Sequence, residues 1–310
     1  MFIKTFGIRG CVFLLALSAL AGGAAAQGQK MTPEEIIAKH VASIGKSDVI
    51  TAAKNRIAIG ASEFEMRMAA KKAKGRAMMA SDGNNVALFS TFNMTDYKME
   101  RIGYFAEKID IPFIVPGRRS PLGGFLSTYD KFLDNHIFGG AVFTSWVFLR
   151  PDSTWGKFEV EGKKKVGDRD AWVVNYTPTG GGLKGGSYIK LYFDTENFRH
   201  LRTVYRQKET DSAFAGSNGG MQPGGVGGTI FSTNTSGAWS NDMANNGMTL
   251  TEDFEDIRAD NGLTLPHKYS ILLAVDGGSG SSQFKWDFVI EEYRPMKEFP
   301  AETFRWAPST

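Results

Sequence analysis

The sequence predicts an α+β protein that is mostly β, a curved antiparallel sheet of about twelve strands packed on a few helices. Three observations predict it. Residues 157–208 read as four consecutive antiparallel strands: Phe158 and Val160 alternate with Glu159 and Glu161, a Gly-Asp-Arg-Asp turn leads into 171–177, 188–194 is β-branched and aromatic throughout, and a polar turn at 195–197 returns the chain into 200–208. Helical patterns flank the strands instead of alternating with them, which excludes a doubly wound sheet. In 283–293, Phe284, Trp286, Phe288 and Ile290 share one face, with Lys285, Asp287 and Glu291 on the other. Such a meander must cover one greasy face with something.

Residues 1–26 carry Lys4 and Arg9, an apolar run from Cys11 to Ala21 and a small-residue Ala24-Ala25-Ala26 site, the three parts of an export signal. The run is about half the roughly 20 residues of a spanning helix, which disfavours a membrane anchor. Arg9-Gly10 before Cys11 is unlike a lipoprotein signal, so no acylated N-terminus is expected. Without this segment the chain has no cysteine, and its net charge falls from +3 to +1 with the loss of Lys4 and Arg9. An exported chain of residues 27–310 without disulfides relies on its core, which the length permits in a single domain. No later segment is long and apolar enough to span a bilayer, so the exported protein is expected to be soluble.

The exported chain opens on a helix: Thr32 as N-cap, Pro33 at the first position, Glu35 closing a capping box, and Ile36, Ile37, Val41 and Ile44 as the apolar stripe ending at Gly45. A short second helix over about 48–54 leads into a strand where Phe64, Met66 and Met68 alternate with Glu63, Glu65 and Arg67. Strands follow near 74–81, 86–92, 101–106 and 109–115, with Asp82-Gly83-Asn84 as a hairpin turn. Between the two sets of strands, Ser120 and Pro121 start an amphipathic helix whose Leu122, Phe125, Leu126, Tyr129, Phe132 and Leu133 keep helical spacing. The almost wholly apolar 137–149, interrupted by Gly139-Gly140, reads either as a buried core helix or plug, or as a mobile lid hinged at the glycines. Residues 210–248 form a Gly-, Ser- and Asn-rich insertion that cannot bury a core of its own. Strands resume near 250–258, at 263–275 after the Asn261-Gly262 turn, and at 283–293.

This order, with the motifs His40-Val41-Ala42-Ser43-Ile44-Gly45, Leu191-Tyr192-Phe193-Asp194, Asn261-Gly262-Leu263-Thr264-Leu265-Pro266-His267-Lys268 and Phe299-Pro300-Ala301-Glu302-Thr303-Phe304, resembles the outer-membrane lipoprotein-sorting superfamily (LolA/LolB-like) over nearly the whole exported chain. The resemblance implies a strongly curved antiparallel half-barrel of about 11–12 strands, with helices closing a concave face that shelters acyl chains. It also implies a periplasmic carrier or sensor of lipids or lipoproteins. The chain departs from the carriers in its greater length, its 210–248 insertion and its lack of a lipoprotein signal.

The residues named for the cavity wall are the large, soft ones: Phe64, Met66, Met68 and Met78 in the first strands, Phe125, Tyr129 and Trp146 in the middle segment, and Trp172, Trp286 and Phe288 in the later strands. A well-filled core is the competing fate for each. Arg118 and Arg119, beside the central helix, are the candidates to meet an anionic head group. Enzyme chemistry finds no foothold. His40, His136, His200 and His267 show no metal-ligand or nucleophile spacing, no serine sits in a nucleophile elbow, and the Gly-rich runs lack the lysine and helix of a phosphate loop. Glu252, Asp253, Glu255 and Asp256 read as a solvated strand edge. No catalytic residue, metal or cofactor is expected. The short basic clusters do not suggest nucleic acid. The expected partners are a lipid or acylated protein, with envelope proteins as a further class. The alternative function is a cell-envelope module that binds protein or glycan and has a closed core.

Overall fold

The computed structural model describes residues 31–67, 69–114, 119–150, 156–179, 183, 187–207, 247–277 and 280–306. The expected export signal and the insertion up to residue 246 lie outside the described residues.

The strands are β1 (Arg56–Met66), β2 (Lys71–Ser81), β3 (Val86–Thr91), β4 (Met99–Phe105), β5 (Lys108–Asp110), β6 (Lys157–Val166), β7 (Arg169–Thr177), β8 (Tyr188–Asp194), β9 (His200–Gln207), β10 (Met248–Asp260), β11 (Leu263–Gly277) and β12 (Gly280–Pro295). They form one sheet in the order β5-β4-β3-β2-β1-β12-β11-β10-β9-β8-β7-β6, every neighbouring pair antiparallel. The sheet is an open half-barrel. Pairing of the first strand with the last sews the two meanders together, so β5 and β6 become the opposite edges. The chain therefore leaves the sheet at one edge after β5 and rejoins it at the other with β6.

One face of the sheet is greasy in most of the long strands, though β6 at the edge buries no residue fully. In β1 the buried set is Arg56, Ala58, Gly60, Ser62 and Phe64, in strict alternation with half-buried neighbours. In β12 it is Phe284, Trp286, Phe288 and Ile290. Helix α1 (Pro33–Ile44) has the expected capping box: the Thr32 hydroxyl accepts from the Glu35 N–H, and the Glu35 carboxylate accepts from the Thr32 N–H. It buries Ile36, Ile37, His40 and Ile44, and ends at Gly45, where a Cβ would come within 2.8 Å of Leu263 Cδ2. Helix α2 (Ser47–Ala52) follows. The C-terminal segment crosses the opposite, outer face, where Phe304 packs on Ala80 and Ala87 beside Ile57, Phe105 and Phe299.

The middle segment departs from its sequence pattern. The expected single helix breaks at Tyr129 (φ −116°, ψ 62°) into α3 (Pro121–Thr128) and α4 (Lys131–Asp134). Both pieces press the same way, so the apolar spacing survives although the helix does not. Gly123-Gly124 and the β-branched Thr128 also make this stretch a poor helix former. Residues 137–149 are not a helix either: they hold two short 3-10 turns, Gly140–Val142 and Val147–Leu149. Left-handed backbone at His136 (φ 55°), Gly139 (φ 77°) and Gly140 (φ 50°) forbids a continuous helix there.

Candidate functional site

The middle segment fills the inner face of the sheet. Phe125, Phe132, Phe143 and Trp146 are all wholly buried. Phe125 and Phe132 meet Tyr205 of β9 at 5.6 and 5.4 Å between ring centroids, and Trp146 stacks on His200 at 5.0 Å.

The residues named from the sequence divide into groups. Phe64, Trp286, Phe288, Phe125, Tyr129 and Trp146 are buried on this face. They pack on side chains: Phe64 on Trp286 at 5.4 Å, Phe125 on Tyr129 at 5.0 Å, and Phe288 on Tyr269 at 5.5 Å. Trp172 stands opposite Phe193 in the register, half-buried, with the Lys163 ammonium 4.3 Å from its ring. Met66 is half-buried at the end of β1. Met78 is a correction. It pairs with Ile59 and Phe89 on the outer face, and Met79, 2% exposed, is the methionine turned inward. Two adjacent methionines gave the pattern no means of choosing the phase, and a one-residue slip exchanges the faces. Met68 and Arg118 lie outside the described residues. Arg119 donates from Nε to the Ile111 carbonyl at 2.9 Å and covers the Phe113 ring.

Polar groups fasten the middle segment to the sheet at four places and to α1 at a fifth. At its start, the Ser120 hydroxyl donates to Glu100 Oε1 at 2.7 Å and caps α3 by accepting from the Gly123 N–H. Glu100 also accepts from the Tyr97 hydroxyl, whose oxygen accepts from Trp286 Nε1. Burial pushes the Glu100 carboxyl up to about 7. At the glycine pair, Glu252 Oε1 accepts from the Gly139 N–H at 2.8 Å and from the Tyr269 hydroxyl, and burial pushes this carboxyl up to about 8. Arg56 Nη2 donates to the carbonyls of Ala141 and Val142 at 2.6 and 3.1 Å. Ser81 Oγ accepts from the Thr144 N–H at 2.8 Å, while Thr144 Oγ1 accepts from the Gly83 N–H at 2.9 Å. Trp146 Nε1 donates to His40 Nε2 at 3.1 Å, which leaves His40 Nδ1 to donate to the Phe198 carbonyl. Burial holds that imidazole neutral, with its pKa down at about 4.

Glu252 is a second correction. It is wholly buried in an interior strand and belongs to no solvated edge, because it keeps phase with Met248, Leu250 and Phe254. The same signal was available for Arg56, in phase with Ala58 and Phe64, and for Glu100, in phase with Ile102 and Tyr104. A charged residue on the buried phase of a strand needs a fixed partner, and here the partner is the middle segment.

A cavity of about 280 Å³ opens beside this segment, between α1, α2, the β2–β3 turn and residues 144–150. Ile44, Ile50, Leu149 and Leu263 form its apolar wall, and Lys54, Arg56 and Arg150 supply three cations. None of the residues named from the sequence for the ligand wall or the head group lines it. Among the described residues no group of three or more His, Cys, Asp or Glu side chains is placed to hold a metal ion. No helix among them is long and apolar enough to cross a membrane.

No protein-family model and no curated relative matches the chain. Solved structures do. A LolA superfamily protein from Nitrosomonas europaea aligns over 89% of this chain and 98% of its own, at 13% identity and a TM-score of 0.46. An outer membrane lipoprotein-sorting protein domain from Vibrio parahaemolyticus aligns over 87% and 94%, at 10% identity and a TM-score of 0.41. A DUF1329 family protein from Desulfovibrio piger aligns over 88% and 96%, at 11% identity and a TM-score of 0.44. The first two carry the superfamily name that the sequence motifs resemble.

Proposed function

We propose that the protein is an exported, non-enzymatic binding protein of the cell envelope, held in the periplasm, that shelters an acyl chain, lipid or acylated protein on the inner face of its half-barrel. In this reading residues 120–149 are a cover that moves aside. The observation that carries it is the kind of cover this face has. Much of the apolar inner face is closed, beside α1, by residues 120–149, a segment of short helices and turns. Discrete polar fasteners hold that segment to the sheet, and its left-handed positions cluster at 136–140. Such a segment exchanges its apolar contacts for those of a ligand without unfolding the sheet. Burying a chain of a dozen methylenes at about 0.8 kcal/mol each supplies roughly 10 kcal/mol against the ordering cost of binding.

A reversible lock tests the movement. Ser81 Oγ and Thr144 Oγ1 are 2.9 Å apart, so a Ser81→Cys/Thr144→Cys pair is placed to close a disulfide between sheet and cover. Uptake of a dodecyl-chain probe should be lost when the pair is oxidised and return on reduction. Equal uptake in both states would contradict a moving cover. Full burial of Phe125 and Trp146 favours the competing reading, an envelope module for protein or glycan with a permanently closed core. That reading requires no uptake in either state.

A further inference from the structure

The cavity beside the cover holds an unusual guanidinium. Arg56 is 4% exposed and uses Nη2 on two backbone carbonyls, yet its Nε is buried without a hydrogen-bond partner. Its face lies on the Tyr293 ring at 5.2 Å. No carboxylate pairs with it among the described residues, and the acid whose charge reaches it, Asp260, is 3.5 Å from His267 Nε2. Burial lowers its pKa, as expected for a cation short of compensation. Lys54 lies on the same cavity, exposed and without an ion pair among the described residues. Arg150 joins them, its Nη2 reaching Asn84 Oδ1 at 3.4 Å. Among the described residues no acidic side chain lines this space, and Ile50, Leu149 and Leu263 give it an apolar wall. Its 280 Å³ sits near the lower end of small-molecule sites, roughly 300–1,000 Å³.

We propose that this cavity is a binding site for a small anionic amphiphile, its oxyanion head on the Lys54, Arg56 and Arg150 side and a short apolar tail against Ile50, Leu149 and Leu263. Guanidinium groups bind carboxylate and phosphate oxygens through paired N–H donors, so the head-group class follows from the donors present. The apolar wall separates this site from a plain anion site. It needs no movement of the cover, and so stands or falls separately from the binding proposed for the inner face.

The test is calorimetric titration of the full exported chain with octyl phosphate, octanol and inorganic phosphate at low ionic strength. Octyl phosphate should bind one to one, at least about tenfold tighter than either control, and Lys54→Glu and Arg150→Glu should each weaken it by about tenfold. Arg56→Lys, which keeps the charge and loses the paired donors, should weaken it further. Lys54 is exposed, so its variant should melt with the wild type and report on binding alone. Four results would each overturn the proposal. Octanol could bind as tightly, which leaves an apolar pocket only. Inorganic phosphate could bind as tightly, which leaves a free-anion site without a tail subsite. Octyl phosphate could bind Lys54→Glu and Arg150→Glu unchanged, or it could show no saturable heat.

Discussion

Replacing Glu252 by glutamine tests most sharply how the cover is fastened. Glu252 is wholly buried, accepts from Gly139 at the left-handed turn and from Tyr269, and has its pKa raised from 4.5 to about 8 by burial. A carboxyl raised on folding stays protonated in the native chain over a range where the unfolded chain has already released its proton. Its contribution is therefore fully present below pH 4.5 and is lost as pH rises towards 8. At 1.36 kcal/mol per pH unit the whole window spans about 5 kcal/mol, of which about 2 kcal/mol falls between pH 6.5 and 8. Glu100, raised to about 7, adds about 0.7 kcal/mol over the first half unit. The lowered histidines act only below 6.5, so they leave this window clean. The carboxamide of the Glu252→Gln variant would keep an oxygen for Gly139 and Tyr269 and carry no titrating proton. Urea denaturation at pH 6.5 and pH 8 should show the wild type losing about 2 to 3 kcal/mol and Glu252→Gln losing less than about 1 kcal/mol. Equal losses in the two proteins would mean that Glu252 does not carry the pH dependence.

The histidines set the acid limb. His40 and His136 are lowered to about 4 and His200 well below 6.5, so their contribution is present above pH 6.5 and is lost as pH falls through their folded values. Set against Glu100 and Glu252, this places maximum stability near pH 6.5, and thermal melts from pH 4.5 to 9 that peak elsewhere would contradict it. Trp286→Ala should cost about 3–5 kcal/mol in a urea titration, since the side chain is wholly buried against Phe64 and donates to Tyr97; a loss under about 1 kcal/mol would mean the face is loosely packed. Arg56→Met removes the donor to the Ala141 and Val142 carbonyls. Opening of the cover, read by hydrogen exchange at Val142 and Phe143, whose amides bond within the turn, should rise about thirtyfold for a loss of roughly 2 kcal/mol.

The strands were legible because alternation in a half-buried sheet is a strong local signal. β12 carries it openly in Phe284, Trp286 and Phe288, and the capping box at Thr32 and Glu35 fixed the start of α1 just as plainly. The pairing of β1 with β12 depends on contacts more than 200 residues apart along the chain, and no short-range pattern reports it. The middle segment misled for a different reason. Phe125, Tyr129 and Phe132 keep helical spacing whether or not the helix continues past Tyr129, because both pieces press on one surface. On the inner face, several of the large apolar residues named from the sequence are buried, but the phase was not always right: Met78 faces away where Met79 faces in. Glu252 escaped because its charge was read as exposure, and Arg56 and Glu100 were not singled out, although each of the three sits on the buried phase of its strand. Phase outweighs polarity in such strands, and a charge on the wrong phase marks a fastener or a site.

Native mass spectrometry of the protein taken from its envelope fraction, followed by extraction of whatever accompanies it, is the decisive experiment for binding on the half-barrel. A stoichiometric lipid or acylated peptide, displaced when the oxidised Ser81→Cys/Thr144→Cys pair is purified in its place, is the expected result. A bare mass for the wild type, with no uptake of added acyl chains, would contradict the carrier reading and leave the closed-core envelope module.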